Sequence, residues 1–185
     1  LGDIDGGSGG NNSVLIDPGA GGAFSYSGSL SNFSSAEVKS GTVTLSGQSA
    51  FTGTTAVSGG TLVLNGNIST SILTTVESGG TLAGTGTVGS LSVTSGGNVS
   101  PGNSAGILHV AGNYSQTGGS LTVDLGGIAA GSQYDQLHVS GSVTLGGSLV
   151  GNVGYVPAYG DLLFILANDG GDVIQGAFDG MADQS

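Results

Sequence analysis

Residues 41–67, GTVTLSGQSAFTGTTAVSGGTLVLNGN, carry the clearest structural pattern of the chain. Apolar and small polar residues alternate in residues 42–46, and residues 61–65 combine leucine with β-branched side chains. A period of two predicts a β-strand with one buried face. Each run ends at Ser-Gly, Gly-Gly or Asn-Gly, where glycine supplies the positive φ of a sharp turn. The stretch therefore predicts short strands joined by tight corners.

Similar corners recur through most of the chain. The corner glycines come about every twenty residues, which is too short for a four-stranded propeller blade and suits one coil of a repeat structure. They are Gly41, Gly60, Gly80, Gly97, Gly119 and Gly141. A leucine-rich repeat has a similar length, but its asparagine or cysteine ladder and its helical half are absent from the pattern. The spacing therefore predicts an all-β chain of stacked coils, a parallel β-helix.

Charged residues are scarce and almost all acidic. Twelve Asp and Glu stand against one basic residue, Lys39, in a chain of 185 residues. Nucleic acid is excluded as a partner because phosphate binding needs clustered Lys and Arg, and a basic membrane-surface patch is excluded for the same reason. Glycine numbers 40, yet 37% of residues are apolar and alternate regularly. That combination predicts a folded chain rather than a disordered one.

The chain divides into three parts, which we interpret as one elongated domain. Residues 1–39 fit the repeat poorly and are expected to form one or two atypical N-terminal coils or a linker. Residues 40–160 carry the β-helix repeat. Residues 161–185 open with the most apolar run in the chain, LLFILA at 162–167. We expect this last part to cap the stack, because an uncovered strand edge invites aggregation.

Local signals refine these boundaries. Strands are predicted at residues 14–16 and within residues 24–33, with Asp-Pro-Gly at 17–19 turning the chain between them. Residues 96–106, GGNVSPGNSAG, are rich in turn formers and predict a corner. Three further strands are predicted at residues 107–110, around Tyr114 and at residues 121–125. No run of eighteen apolar residues predicts a transmembrane helix, and no signal-like segment opens the chain, so we expect a mature chain or a fragment.

Candidate catalytic groups are few. A glycan-cleaving β-helix needs two or three acidic groups on one face. The candidates are Asp124, Asp135 and Asp161, with His109 and His138. No two of the acids fall at the same phase of the repeat, and one cation cannot supply the charge neutralisation that a lyase needs. Asp135 is expected to cap a turn through its side-chain oxygen. We predict no catalytic residue and no enzyme, with a glycan-binding or glycan-cleaving β-helix as the alternative.

The sequence evidence for a metal site or for a water-ordering threonine array is equally weak. His109 and His138 occupy matching places in two predicted strands and could stack or share a metal, but two ligands without a third make a poor zinc site. Asp3 and Asp5 precede Gly6 without the later ligands of a calcium loop, so a solvated turn is favoured. Thr-x-Thr pairs at 42–44 and 85–87 are not in register and are interpreted as ordinary strand formers. We predict no metal and no cofactor.

Several ordered motifs resemble one family. Residues 41–67 resemble the autotransporter-associated β-strand repeat, with Phe-Thr-Gly-Thr-Thr at 51–55 and Val-Ser-Gly-Gly-Thr-Leu at 57–62. Residues 80–180 resemble the region that follows such repeats near the C-terminal end of autotransporter passengers. The matching segments there are SPGNSAG at 100–106, YDQL at 134–137, VTLGGSL at 143–149 and Gly160-Asp161 before the apolar run. The resemblance covers residues 41–67 and most of residues 80–180.

The resemblance implies a type V secreted passenger of a Gram-negative outer membrane, folded as a right-handed parallel β-helix. Its implied partner is a C-terminal outer-membrane β-barrel translocator, and its implied location is the bacterial cell surface. Because no long amphipathic strands follow Phe178, we expect a passenger fragment. The expected function is a non-enzymatic, structural or adhesive stalk whose last coils, ending in an autochaperone-like segment, fold first. Host matrix, glycans or other bacterial cells are the partners expected for its outer faces.

Overall fold

A computed structural model describes residues 2–9, 11–169 and 171–181 of the chain. These ranges contain twenty-two short β-strands and no helix, so the protein is all-β. The strands form three extended sheets and one two-stranded sheet, and every pairing between named strands is parallel. Short strands follow directly from the sequence, since Gly-rich dipeptides end each apolar run after a few residues.

The strands are numbered in chain order. The first sheet contains β2 Ser13–Ile16, β5 Ser35–Val38, β7 Thr54–Val57, β10 Leu73–Val76, β13 Leu91–Val93, β16 Tyr114–Gln116, β19 Val143–Leu145 and β22 Ile174–Gly176. The second contains β3 Ala23–Tyr26, β6 Thr42–Leu45, β8 Gly60–Leu64, β11 Gly80–Gly84, β14 Asn98–Pro101, β17 Ser120–Leu125 and β20 Ser148–Val153. The third contains β9 Asn67–Ile68, β12 Thr87–Val88, β15 Ile107–Val110, β18 Gln136–Val139 and β21 Leu166–Asn168. β1 Ile4–Asp5 pairs with β4 Leu30–Ser31.

The chain visits the sheets in a fixed order. From β7 to β22 it passes from the first sheet to the second, then to the third, and returns to the first. Within each sheet the strands lie side by side in sequence order. Each internal strand of a sheet therefore pairs with the strand one circuit earlier and the strand one circuit later. The pairing continues across residue 39, because β5 pairs with both β2 and β7.

Identical register places like side chains in columns. In the first sheet, the cross-strand partners Val38, Val57, Val76 and Val93 form one inward column, each at most 2% exposed. In the second sheet, an inward column consists of Val43, Leu62, Leu82, Val99 and Leu121, all 0% exposed. A slip of one residue would turn each column outward, so the alternation read from the sequence specifies the register.

The corner between the first and second sheets is built from glycine. Gly60 has φ +66°, and a Cβ there would lie 2.4 Å from the carbonyl oxygen of Gly41. A side chain at position 60 is disfavoured because its φ is positive, and because the backbone of the preceding coil occupies the space. The sequence assignment of Gly141 to this corner was wrong. Ser120 pairs with Ser148, so Gly147 stacks there, while a Cβ at Gly141 would meet Gly112 at a different corner.

One strand lies inside the segment predicted as a corner. Within residues 96–106, β14 pairs in register with β11 and buries Val99 completely. Pro101 is tolerated because β17 pairs only with Asn98 and Val99, so the strand has a free side where proline lacks its N–H. Turns flank this strand: the N–H of Gly97 donates to the carbonyl of Thr94 before it, and residues 102–106 turn the chain after it. Turn-forming residues therefore concealed a strand of four residues.

A buried polar cluster interrupts the apolar interior. The hydroxyl of Tyr114 donates to Oε1 of Gln116 at 2.6 Å, and Nε2 of Gln116 donates to the carbonyl oxygen of Ser148 at 3.2 Å. Burial raises the pKa of the Tyr114 hydroxyl, so it remains a donor at neutral pH. Gln116 is the cross-strand partner of Val93 and so occupies the next position of the valine column. Its hydrogen bond to Ser148 links β16 to the corner of the next circuit.

Candidate functional site

The two histidines of the chain lie side by side on the third sheet. His109 of β15 and His138 of β18 are cross-strand partners, and their ring centroids lie 5.4 Å apart in an edge-to-face arrangement. Both rings alternate with buried residues and are half-buried on the outer face. The prediction of matching, outward-facing strand histidines is confirmed.

The surroundings of His109 shift the pKa of its imidazole. Burial, and secondarily the neighbouring His138, lower the pKa of His109 below its ordinary value of 6.5. Both causes disfavour the protonated ring, since it loses hydration and approaches another ring that can carry positive charge. At neutral pH His109 is therefore an uncharged nitrogen base at the surface.

Asp135 is a buried carboxylate with two backbone partners. It is 1% exposed, Oδ1 accepts from the N–H of Gly106 at 2.9 Å, and Oδ2 accepts from the N–H of Asp124 at 2.8 Å. The side chain thus ties the 102–106 turn to the end of β17. Asp135 thus caps a turn through its side-chain oxygen, as predicted, but that turn lies 29 residues earlier in the sequence.

The pKa of Asp135 reflects this environment. Burial raises it, the two backbone N–H groups lower it, and the charge of Asp124 raises it again. One carboxylate oxygen faces the backbone N–H of Gly106, and the other faces the backbone N–H of Asp124. Asp135 is accordingly placed to hold chain segments together.

The other two predicted acids have partners of their own. The carboxylate of Asp124 accepts from Nδ2 of Asn152 at 2.9 Å on the outer face of the second sheet. Asp161 accepts from the N–H of Ala158 at 2.8 Å within an exposed loop. The structure therefore brings the backbone of Asp124 to Asp135, whereas Asp161 belongs to a separate turn.

The N-terminal acids also make local contacts. Asp5 accepts from the N–H of Gly7 and from Nδ2 of Asn32, and Asp3 accepts from the N–H of Ser29. These hydrogen bonds, chiefly from Ser29 to Asp3 and from Asn32 to Asp5, lower the pKa of both carboxyls. Among the described residues, no group of three His, Cys, Asp or Glu side chains is arranged to hold a metal ion.

The second sheet presents an outer face of small, mostly polar side chains. Thr42, Thr61 and Thr81 are successive cross-strand partners and form a threonine ladder. The same column continues through Asn98, whose Oδ1 accepts from the hydroxyls of Ser120 and Thr122 at 2.8 Å. Sequence reasoning compared Thr-x-Thr pairs and missed this ladder. The signal was present in the Gly-Thr dipeptides at 41–42, 60–61 and 80–81, where these three strands start.

The two ends of the described sheets expose apolar surface. At the N-terminal end, Ile4, Leu15, Phe24 and Tyr26 contribute to an open cavity. At the other end, the loop between β20 and β21 exposes Val156, Tyr159, Leu162 and Phe164. The predicted apolar run at 162–167 thus begins outside the interior, and joins the sheets only at β21.

Comparison with known proteins adds no assignment. Within the described ranges, no helix is long and apolar enough to cross a membrane. No protein-family model and no curated protein matches the sequence.

Proposed function

We propose that the chain is a non-enzymatic stalk, a passenger segment of the autotransporter type displayed on a bacterial surface. The observation that supports this most directly is the in-register parallel stacking of strands over successive circuits. Such stacking makes a solenoid in which each unit contacts its neighbours along one axis. We interpret the fixed circuit through three sheets as a right-handed parallel β-helix.

Rigidity follows from the side-chain columns. Burying a Val or Leu side chain contributes about 1.5–3 kcal/mol, and the inward columns repeat this contribution in every circuit from β6 to β17. Small, mostly polar outer residues leave the rod soluble and give few strong contacts. A rod with these properties holds another part of a longer protein away from the cell, or presents its own faces to matrix, glycans or neighbouring cells.

Folding supplies the proposed mechanism of export. Each new circuit adds a strand to three exposed edges and buries apolar side chains that were previously in water. Outside the cell, where no ATP is available, this free energy would draw the chain outward. The translocator of such a system is an outer-membrane partner, and the segment after residue 160 is proposed to seal or nucleate the stack.

The glycan-cleaving alternative receives less support. Asp124 and Asp161 each accept a hydrogen bond from this chain, and Asp135 has both carboxylate oxygens occupied by backbone donors. A general acid needs a free path to substrate. The buried Asp135 has none.

The proposal is tested by export from a Gram-negative host. The chain is fused ahead of an outer-membrane translocator, and whole cells are treated with protease to measure the surface-exposed fraction. Leu82→Asp places a charge in the buried column, whereas Thr81→Asp adds the same charge on the outer face. We expect surface exposure of the parent and of Thr81→Asp, and retention of Leu82→Asp. Equal exposure of all three would contradict folding-driven export.

A further inference from the structure

The outer face of the third sheet contains a column with an unusual composition. Its cross-strand partners are Asn67, Thr87, His109, His138 and Ala167. The two histidines of the chain thus occupy adjacent positions in one column, flanked by threonine on one side and alanine on the other. Both flanking side chains are small, which leaves space above the rings.

The strands hold the histidines at a short separation. Neighbouring strands lie about 4.8 Å apart, and β15 and β18 are paired at all four positions. On each side of the histidines, Leu108, Val110, Leu137 and Val139 are at most 1% exposed. These buried residues fix the backbone, so that only the side-chain torsions of the histidines remain adjustable.

The imidazole nitrogens are available. Over the part of the chain that the structure describes, neither ring makes a hydrogen bond. The centroid separation of 5.4 Å leaves room for each ring to turn one nitrogen toward a shared point above the sheet. Nitrogen ligands of this kind suit borderline transition metals, whereas Ca²⁺ and Mg²⁺ prefer oxygen.

We propose that His109 and His138 form a two-imidazole binding position for a divalent transition-metal ion such as Cu²⁺, Ni²⁺ or Zn²⁺. The protein supplies two ligands from adjacent strands, and water completes the coordination. The position is open and reversible, unlike a structural zinc site, which needs four protein ligands. The order of affinities for divalent ions predicts the tightest binding for Cu²⁺. This inference is independent of the proposed stalk function.

The test is calorimetric titration of the purified chain with CuCl₂ and NiCl₂ at neutral pH in a buffer that does not bind metal. We expect one ion per chain. Because two linked ligands act at a high effective concentration, His109→Ala and His138→Ala should each weaken binding at least about tenfold. Binding by either variant at the parent affinity would overturn the proposal, as would two independent ions per chain.

Matched variants separate chelation from general surface binding. Thr87→His combined with His138→Ala moves the pair one strand along the column, since Thr87 is the partner of His109. Ile107→His combined with His109→Ala keeps two histidines but places the new one opposite Gln136 instead of His138. We expect the first double variant to bind like the parent and the second like a single variant. The opposite ranking would refute a paired site, and urea unfolding of each variant confirms that it is folded.

Discussion

The middle circuits and the last circuit share a topology and differ in burial. In the middle, Val57, Leu62 and Val76 are 0% exposed, and their strands have neighbours on both sides. In the last circuit, β20, β21 and β22 pair just as regularly, yet Val153 of β20 is 60% and Ile174 of β22 is 42% exposed.

This difference shows that strand pairing alone does not make a core. A side chain in the middle is covered by the same column in the circuits before and after it. In the last circuit it has one neighbour, and most of the loop from residue 154 to 164 is exposed. Burial in a stacked structure is therefore supplied by neighbours, and terminal circuits need a cover to gain it.

The largest expected effect comes from removing the last circuit. Deleting residues 161–185 removes β21, β22 and the buried Phe178, and it uncovers the edges of β18 and β19. If this segment nucleates or seals the stack, cooperative refolding from urea should be lost. Deleting residues 1–12, which removes β1, should leave refolding unchanged. Equal behaviour of the two truncations in a refolding titration would refute the proposed role of the segment.

The second effect contrasts two leucines. Leu82→Ala opens a cavity in a column that is 0% exposed and should lower the free energy of unfolding by about 2–5 kcal/mol. Leu162 is 75% exposed, so Leu162→Ala should change it by less than about 0.5 kcal/mol. Urea unfolding followed by circular dichroism measures both. A cost for Leu162→Ala near that of Leu82→Ala would mean that the last circuit is covered in solution.

The third effect contrasts two glycines with positive φ. Gly60→Ala adds a strained conformation and a collision with the carbonyl of Gly41, which together should cost about 2–4 kcal/mol. Gly160→Ala meets no atom within 4 Å and should cost only the strain, about 1–2 kcal/mol. Thermal and urea unfolding of the two variants separate these contributions. Equal losses in the free energy of unfolding for the two variants would mean that the backbone at the corner shifts to accommodate the added methyl group.

The fourth effect concerns the buried carboxylate. Asp135→Asn turns an amide donor toward the N–H of Gly106 or Asp124, leaving one buried donor unsatisfied at a cost of about 1–3 kcal/mol. Asp161→Asn is the control, because its remaining oxygen still accepts from Ala158 in an exposed loop. Comparable stability of the two variants in urea would show that Asp135 does not tie its segments together.

The smallest effect is a pH dependence on the outer face. The pKa of His109 is lower in the folded chain than its ordinary value of 6.5. The stability that its neutral ring contributes is therefore fully present above pH 6.5, and it is lost as the pH falls through the pKa of the folded chain. The parent should therefore lose slightly more stability than His109→Gln between neutral pH and pH 5. Unfolding in the presence of a chelator keeps metal binding out of the comparison. Parallel pH profiles for the two proteins would contradict the assigned direction of the shift.

Much of the all-β architecture could be predicted from local patterns. Alternation in residues 41–67 predicted β6 and β8, and the strands predicted at 107–110, at Tyr114 and at 121–125 are present. β14 escaped prediction because Gly, Pro, Asn and Ser are turn formers in isolation. In the sheet, pairing with β11 and the burial of Val99 outweigh that preference.

The surface features could be predicted only in part. The matching positions of His109 and His138 could be predicted, since each histidine lies between Leu and Val at the same place in its strand. The hydrogen-bond partners of Asp135 could not be predicted from the sequence. Gly106 and Asp124 are distant from it along the chain and meet it only when neighbouring circuits stack.

Short strands and glycine corners follow from local sequence, since period-two alternation and positive φ are local properties of the chain. The tertiary structure decided which columns are buried, where the corner glycine of the last circuit lies and which side chains meet across strands. Those outcomes depend on register between segments about twenty or more residues apart, and burial depends on neighbours that no local pattern describes.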